Sequence, residues 1–401
     1  MVKKQAAIGF IFITLLVDVI GWGLIIPVMP QLISGLKHIP VNQASREGGL
    51  LLFVYAFMQF ICAPILGNLS DQYGRRPVLL FSLFGFGVDY IFMGFAPSFG
   101  WLFLGRTISG ITGASFTTAS AYIADISDEK TRAKNFGLVG AAFGLGFIIG
   151  PAIGGLMSGW GIRAPFYAAA ILSLINWLYG YFVLPESLSP DHRRPFQWKR
   201  ANPLGSLRHL KKYPSLAGLI LALGLVYLGS HAVQSNWSYF TMYRFKWTPK
   251  TVGISLAVVG ALVALVQGVL IRWITPKIGN EKSIYIGLLL YAAGMFLFAF
   301  ASQSWMMFVF LIPYCLGGIA GPALQAIMSG HVPPNEQGEL QGELTSVMSL
   351  TAIFGPLLMT NLFAYFTSIQ APLLFPGAPF LLGGLLMLIS SMVAYKSLKQ
   401  N

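Results

Sequence analysis

Away from the ends of its long apolar runs, this chain carries Asp18, Asp89, Arg106, His231 and Glu343 as ionisable side chains. Such a group costs about 2.5–3.5 kcal/mol at the centre of a membrane-spanning helix, and it marks function by default. Asp18 sits midway along the run 6–29 and Asp89 at a similar depth in 77–96. A carboxyl at that depth can take up and release a proton. Arg106, several residues into 99–124, stays charged in proteins and can hold a nearby carboxylate ionised until a proton arrives. It shares a helix face with Gly110, Gly113 and Thr117, a small and polar stripe suited to a cavity or a close helix contact. Each residue also has a structural reading. Asp18 is read as functional, because Gly21, Gly23, Pro27 and Pro30 are expected to loosen the helix beside it. For Asp89 both readings stand, and for Arg106 the alternative is a permanent ion pair. His231 is read first as a packed core histidine and second as a proton-responsive group. Glu343, about one turn into 338–363, is expected to reach the nearer membrane interface.

The elements that must position these groups follow from composition. The chain has 401 residues, 55% hydrophobic and 10% charged, with a mean hydropathy of +0.69. A soluble domain carries about 25% charged residues, so a soluble enzyme, a disordered chain and a secreted disulfide scaffold are excluded. Cys62 and Cys315 lie in apolar runs and read as packing residues. Twelve apolar segments are drawn: 6–29, 49–68, 77–96, 99–124, 135–158, 164–185, 215–240, 251–273, 283–301, 304–329, 338–363 and 378–395. They are continuous rather than alternating, which argues for helices and against a barrel. The first follows Lys3-Lys4, is longer than a signal-peptide core and lacks a cleavage pattern, so it is expected to be a retained span. The fold class is an all-α membrane protein with twelve transmembrane helices in two six-helix bundles.

Charge gives the orientation. With the N-terminus inside, nineteen of the 26 Lys and Arg fall in inside connections, six fall outside, and Arg106 is left in mid-span. Both termini are therefore expected in the cytoplasm, and the net charge of +13 reads as this bias rather than as nucleic-acid binding. Residues 186–214 form a basic, proline-bearing linker beside anionic headgroups. It separates an N-terminal bundle, 1–185, from a C-terminal one, 215–401. The halves echo each other: Gly110 and Gly113 answer to Gly318 and Gly321, and Gly150-Pro151 to Gly355-Pro356. A repeated unit with a site between the halves is the architecture of secondary transporters.

Three strings are more specific. G-N-L-S-D-Q-Y-G-R-R-P (67–77) joins an acid, a turn glycine, two arginines and a helix-starting proline into a short charged hinge. L-G-R (104–106) precedes Gly110 and Gly113. G-F-I-I-G-P-A-I-G-G (146–155) spaces Gly146, Gly150 and Gly154 by four, adds Gly155, and carries Pro151, which is expected to bend the helix. The first resembles the loop signature of the major facilitator superfamily, the second its fourth-helix motif, and the third the fifth-helix motif of its drug–proton antiporters. Further strings are similar to the tetracycline–proton antiporter group over nearly the whole chain. They include D-x-x-G-x-G-L-I-I-P-V-x-P from Asp18, Y-A-F-M-Q-F-I-C-A-P from Tyr55, W-S-Y-F-T-M-Y-R-F-K-W at 237–247, and G-P-A-L-Q-A-I-M-S with Q-G-E-L-Q-G near the end.

The resemblance implies a monomeric bacterial inner-membrane exporter that works by alternating access and exchanges a small amphipathic drug, tetracycline-like or multidrug and cationic or metal-chelated, for a proton. It needs no cofactor, because the proton gradient supplies the energy. It implies proton coupling through Asp18, Asp89 and Arg106. It implies a cytoplasmic gate of Gly67, Asp71, Gly74, Arg75, Arg76 and Asp125, in which Arg75 pairs with Asp125 and Asp71 engages the helix that starts near Gln337-Gly338. Trp22, His231, Gln234, Tyr291 and Gln325 are candidate cavity residues. One departure stands out: the group carries an acid in its ninth helix, and 283–301 has none, with Tyr291 in its place. Glu343 or His231 is a candidate substitute. No P-loop, nucleophile–base pair or metal cluster appears in the spans, so ATP drive is not expected and an intramembrane enzyme ranks last. The rivals are an exporter or importer of an endogenous metabolite or siderophore, and a non-transporting receptor or scaffold.

Overall fold

The computed structural model describes residues 2–113, 115–128, 131–198, 216–333 and 336–400. The basic run Lys199–Pro214 of the expected linker lies outside them. Among the described residues the regular structure is helical, and eleven helices are long and apolar enough to cross a membrane. The expected segment 99–124 is absent from that set because it comprises two shorter helices on either side of residue 114. Helix packing divides the chain into two compact units, and the divisions fall inside two helices as well as in the linker.

The first unit takes residues 1–38, 54–203 and 248–257. Its helices are α1 (Val2–Ile25), α2 (Met29–Lys37), the second half of α3 (Val41–Tyr73), α4 (Arg75–Gly94), α5 (Phe99–Thr112), α6 (Ser115–Ile126), α7 (Arg132–Met157) and α8 (Ala164–Val183). The start of α10 (Pro249–Leu265) also belongs to it. The main packing pairs are α1 with α7 and α8, and α4 with α5 and α8. Gly21 and Gly23 do not loosen α1, which runs unbroken through both. They are close-packing positions: a Cβ at Gly21 would lie 3.1 Å from the Tyr90 hydroxyl, and one at Gly23 would lie 2.9 Å from the Gly150 Cα. The break comes later, at residues 26–28, and Pro30 sits in the first turn of α2. Likewise α7 passes through Pro151 without interruption. Its glycines receive neighbouring backbone: Gly150 meets Gly23, Gly154 meets the Leu24 carbonyl, and Gly155 meets Pro249 and Gly253 at the start of α10. Small residues at four-residue spacing let helix backbones touch, and dispersion then holds them where lipid offers no hydrophobic drive.

The second unit takes residues 39–53, 204–247 and 258–401. It contains α9 (Ala217–Phe245), the rest of α10, a π-turn at Val266–Leu270, α11 (Ile271–Ile278), α12 (Asn280–Ala299), α13 (Ser304–Leu316), α14 (Ala320–Gly330), α15 (Gln337–Phe366) and α16 (Ala378–Gln400). Its packing repeats the first pattern: α9 with α15 and α16, and α12 with α13 and α16. The Gly-Pro echo has a matching role. Gly355 of α15 receives the His231 ring of α9, as Gly150 receives α1 in the first unit. The first half of α3 also packs here, where Asn42 Nδ2 donates to the Thr367 carbonyl at 2.9 Å and Gly48 meets the Tyr239 hydroxyl.

Candidate functional site

The first unit gathers a buried polar cluster from five helices. Asp18 of α1 is half-buried as a residue, yet neither carboxylate oxygen is exposed. The Ser115 hydroxyl at the start of α6 faces it without hydrogen-bond alignment. Asp89 of α4 is 1% exposed and Arg106 of α5 is 4% exposed. Arg106 Nη2 lies 2.9 Å from Asp89 Oδ2, close enough for an ion pair but not aligned as a hydrogen bond. The guanidinium edge points one turn further along α4, where Nε and Nη2 donate to Met93 Sδ at 3.2 and 3.1 Å. The guanidinium carbon stands 5.9 Å from the centroid of the Tyr55 ring on α3, within cation–π range. Gln59, one turn beyond Tyr55, donates to the Tyr55 hydroxyl at 3.3 Å and to the Gly113 carbonyl at 2.9 Å. Gly113 is where α5 ends and leaves carbonyls unbonded, so Gln59 satisfies one of them. Gly105 makes room for the pair, since a Cβ there would lie 2.7 Å from Asp89 Oδ1.

The charge balance of this cluster has a chemical consequence. Two carboxyls and one guanidinium are enclosed, and the guanidinium is committed to Asp89. Asp18 has no ion-pair partner among the described residues, so the enclosed cluster is neutral only with one proton on board. A lone buried carboxylate costs several kcal/mol.

A second charged cluster surrounds the turn between α3 and α4. The turn is a single residue, Gly74, with φ 106°. Asp71 is still on the last turn of α3, and Arg75 opens α4. Arg75 bridges Asp71 and Asp125 of α6, with Nε donating to Asp125 Oδ2 at 3.1 Å. Arg76 reaches the Tyr181 carbonyl at 2.6 Å and covers that residue's ring. The residues just after α8 close the cluster. Glu186 accepts the Arg75 and Arg76 backbone N–H groups at 2.8 and 3.2 Å, and those of Ser187 and Leu188 at 3.0 Å each. This carboxylate caps the positive end of α4. Ser187 Oγ donates to Asp125, the Arg194 N–H to the Asp71 carbonyl, and Asn68 to the Gln197 carbonyl. Together they line an open pocket of about 480 Å³, with Asp71, Arg75, Asp125, His192 and Arg194 among its walls.

Glycine in this turn is required at one position and not at another. A Cβ at Gly74 would strike Glu186, and φ 106° is strained for any L side chain, whereas a Cβ at Gly67 meets nothing within 4 Å. Gly74→Ala is therefore expected to destabilise the protein by about 1–3 kcal/mol. Gly67→Ala, in the interior of α3, gains up to about 1 kcal/mol of helix propensity. Thermal melts in detergent should place the two variants on opposite sides of the wild type.

The candidate cavity residues are dispersed. Trp22 packs edge-on against Phe147 at 5.3 Å in the first unit. In the second unit, Gln234 and Gln325 are exposed, and Gln325 approaches the Tyr227 hydroxyl. His231 is packed on Gly355. Tyr291 stacks edge-on with Tyr314 at 5.2 Å and lies on Gly317. Its hydroxyl and the Gln267 amide of the π-turn converge over Gly318, 3.7 and 3.9 Å from where a Cβ would stand. Helix α12 starts early enough to take Glu281 into its exposed first turn and holds no acid beyond it. Glu343 does not reach an interface: α15 begins at Gln337, and Glu343 lies 0% exposed in its second turn. Gln337 itself bonds locally to Ser329 and Val332.

Several site residues escaped the sequence reading. Glu186 was legible only as the first letter of a polar linker, because a cap contributed from more than a hundred residues away leaves no local pattern. Tyr55 and Gln59 did carry a signal, two polar side chains one turn apart in an apolar helix. Met93 carried none, since methionine is an ordinary core residue.

The sequence model of the Major Facilitator Superfamily matches residues 11–243 and 219–400. The chain is 41% identical over 362 residues to the tetracycline resistance protein, class C, of Escherichia coli, covering 90% of this chain and 91% of that protein. It is 30% identical over 389 residues to multidrug resistance protein 2 of Bacillus subtilis (strain 168), covering 95% and 94%. Its fold matches the crystal structure of the nucleoside transporter NupG with a TM-score of 0.79 at 13% identity, over 98% of this chain and 99% of that one. With its paired units, charged α3–α4 turn and glycine-lined α7, the chain belongs to the major facilitator superfamily.

Proposed function

We infer that this protein is a proton-coupled exporter of small amphipathic drugs, tetracycline-like in class, and not an enzyme. The observation that carries this reading is the enclosed cluster of Asp18, Asp89 and Arg106, which is one proton short of neutrality. Binding of a cationic or metal-chelated drug near Asp18 would replace that proton, so one site holds either the proton or the substrate. That exclusion is what an exchanger requires. The protein is a multi-pass membrane transporter. We further read twelve spans in two six-helix halves, 1–185 and 215–401, with both termini in the cytoplasm, a monomeric state and no cofactor beyond the proton gradient. The charge asymmetry of the loops supports the orientation, and the two-segment span 99–124 supports the count. The absence of an acid within the apolar part of α12 distinguishes the second unit from that of the tetracycline–proton antiporter group. A tyrosine hydroxyl and an amide facing Gly318 suit a flat, polar-edged ring.

Inside-out vesicles test the reading. With an acid interior, the wild type is expected to accumulate tetracycline or another planar drug from a labelled panel. An uncoupler should collapse the accumulation to the level of vesicles lacking the protein. Accumulation that persists without a proton gradient would refute proton coupling.

A further inference from the structure

Arg106 presents its Nε–Nη2 edge, the edge that grips a carboxylate with two parallel bonds, to a thioether. Met93 Sδ receives both N–H groups, at 3.2 and 3.1 Å, while Asp89 is met by Nη2 alone at 2.9 Å and out of line. A thioether is a weak acceptor, and the stronger acceptor is one turn away on the same face of α4. Met93 is 0% exposed and so belongs to the packed interior with the pair. Tyr55 of α3 and Tyr90 of α4 lie within electrostatic reach both of the pair and of Asp18 of α1, and the Ser109 side chain of α5 faces Asp89. None of them is placed to take the edge that Met93 holds.

We propose that Met93 is a positioning residue whose thioether holds the Arg106 edge off Asp89, keeping the ion pair one-handed and readily opened. The step that matters is release. When a proton or a substrate cation reaches Asp89 or Asp18, Arg106 must give up its partner, and a single off-axis contact yields more easily than a bidentate one. Without the sulfur, the edge has one strong acceptor in reach and closes on Asp89 with both N–H groups. Turnover then slows while substrate contact, made near Asp18 and not with Met93, changes little. This inference rests on the proton-coupled exporter reading.

The test compares Met93→Leu, which keeps the volume and removes the acceptor, with Met93→Gln, whose amide oxygen can accept from the same two N–H groups. Full-length protein in inside-out vesicles is assayed for proton-driven tetracycline uptake, normalised to the amount of folded protein. Met93→Leu is expected to lower turnover about tenfold with KM within about twofold, and Met93→Gln to regain at least about half of the wild-type turnover. Wild-type turnover in Met93→Leu overturns the proposal while leaving the exporter reading intact, and so does an equal loss in both variants. No uptake by the wild type overturns the exporter reading and the proposal with it. If Met93→Leu fails to accumulate, Met93→Gln decides alone: half the wild-type turnover or more supports the role, and anything less refutes it.

Discussion

Asp18→Asn is expected to abolish proton-driven accumulation, leaving uptake at the level of vesicles without the protein. The amide keeps the shape of the side chain and removes the only carboxyl in the cluster that has no cation. The cluster is then permanently neutral, as Arg106 and Asp89 balance, and no proton is needed to close it. Downhill substrate exchange should survive, because the helix contacts around Gly21 and Gly23 are untouched. Two measurements check this: uptake driven by a pH gradient, and counterflow of labelled substrate with no gradient. Drug-induced quenching of Trp22, one turn beyond Asp18, should persist within about tenfold of the wild-type affinity. Full gradient-driven uptake by Asp18→Asn would remove Asp18 from the coupling mechanism.

Arg106→Ala should harm both folding and transport. It leaves Asp89 buried and uncompensated, and breaking such a pair costs about 3–5 kcal/mol. The double variant Arg106→Ala with Asp89→Asn should recover most of that stability, because no orphaned charge remains, and should still fail to transport. Arg106→Lys separates charge from geometry. The sequence left both roles open, but the structure gives Arg106 an ion pair, two bonds to sulfur and an aromatic face. A lysine ammonium is a point charge without the planar fork, so it can keep the pair with Asp89 but not the other contacts. Its turnover is expected to fall nearly as far as that of the alanine variant, with a melting temperature close to wild type. Near-normal transport by Arg106→Lys would reduce Arg106 to a simple counter-charge.

What the sequence by itself determined was the solvent, the secondary structure and the scarce groups that solvent makes expensive. Backbone polar groups in lipid must be bonded within a helix, so continuous apolar runs read directly as spans. An acid or arginine within them stands out by cost alone, and Asp18, Asp89 and Arg106 were found that way. Helix ends were less legible: the run 6–29 divides after Ile25 at a turn that contains Pro27, with Pro30 opening α2, and α3 extends to Tyr73 through polar residues outside the apolar run. The tertiary structure alone decided partnerships. It made Gly21, Gly23 and Gly150 contact points rather than hinges, buried Glu343, placed Glu186 on the N-terminus of α4, and turned the Arg106 edge toward Met93. Each of these is a meeting of residues from different helices, or of residues whose common neighbour comes from another helix. Periodicity along one helix records which face is buried but not which neighbour buries it, so pairings of this kind become visible only when the helices are packed.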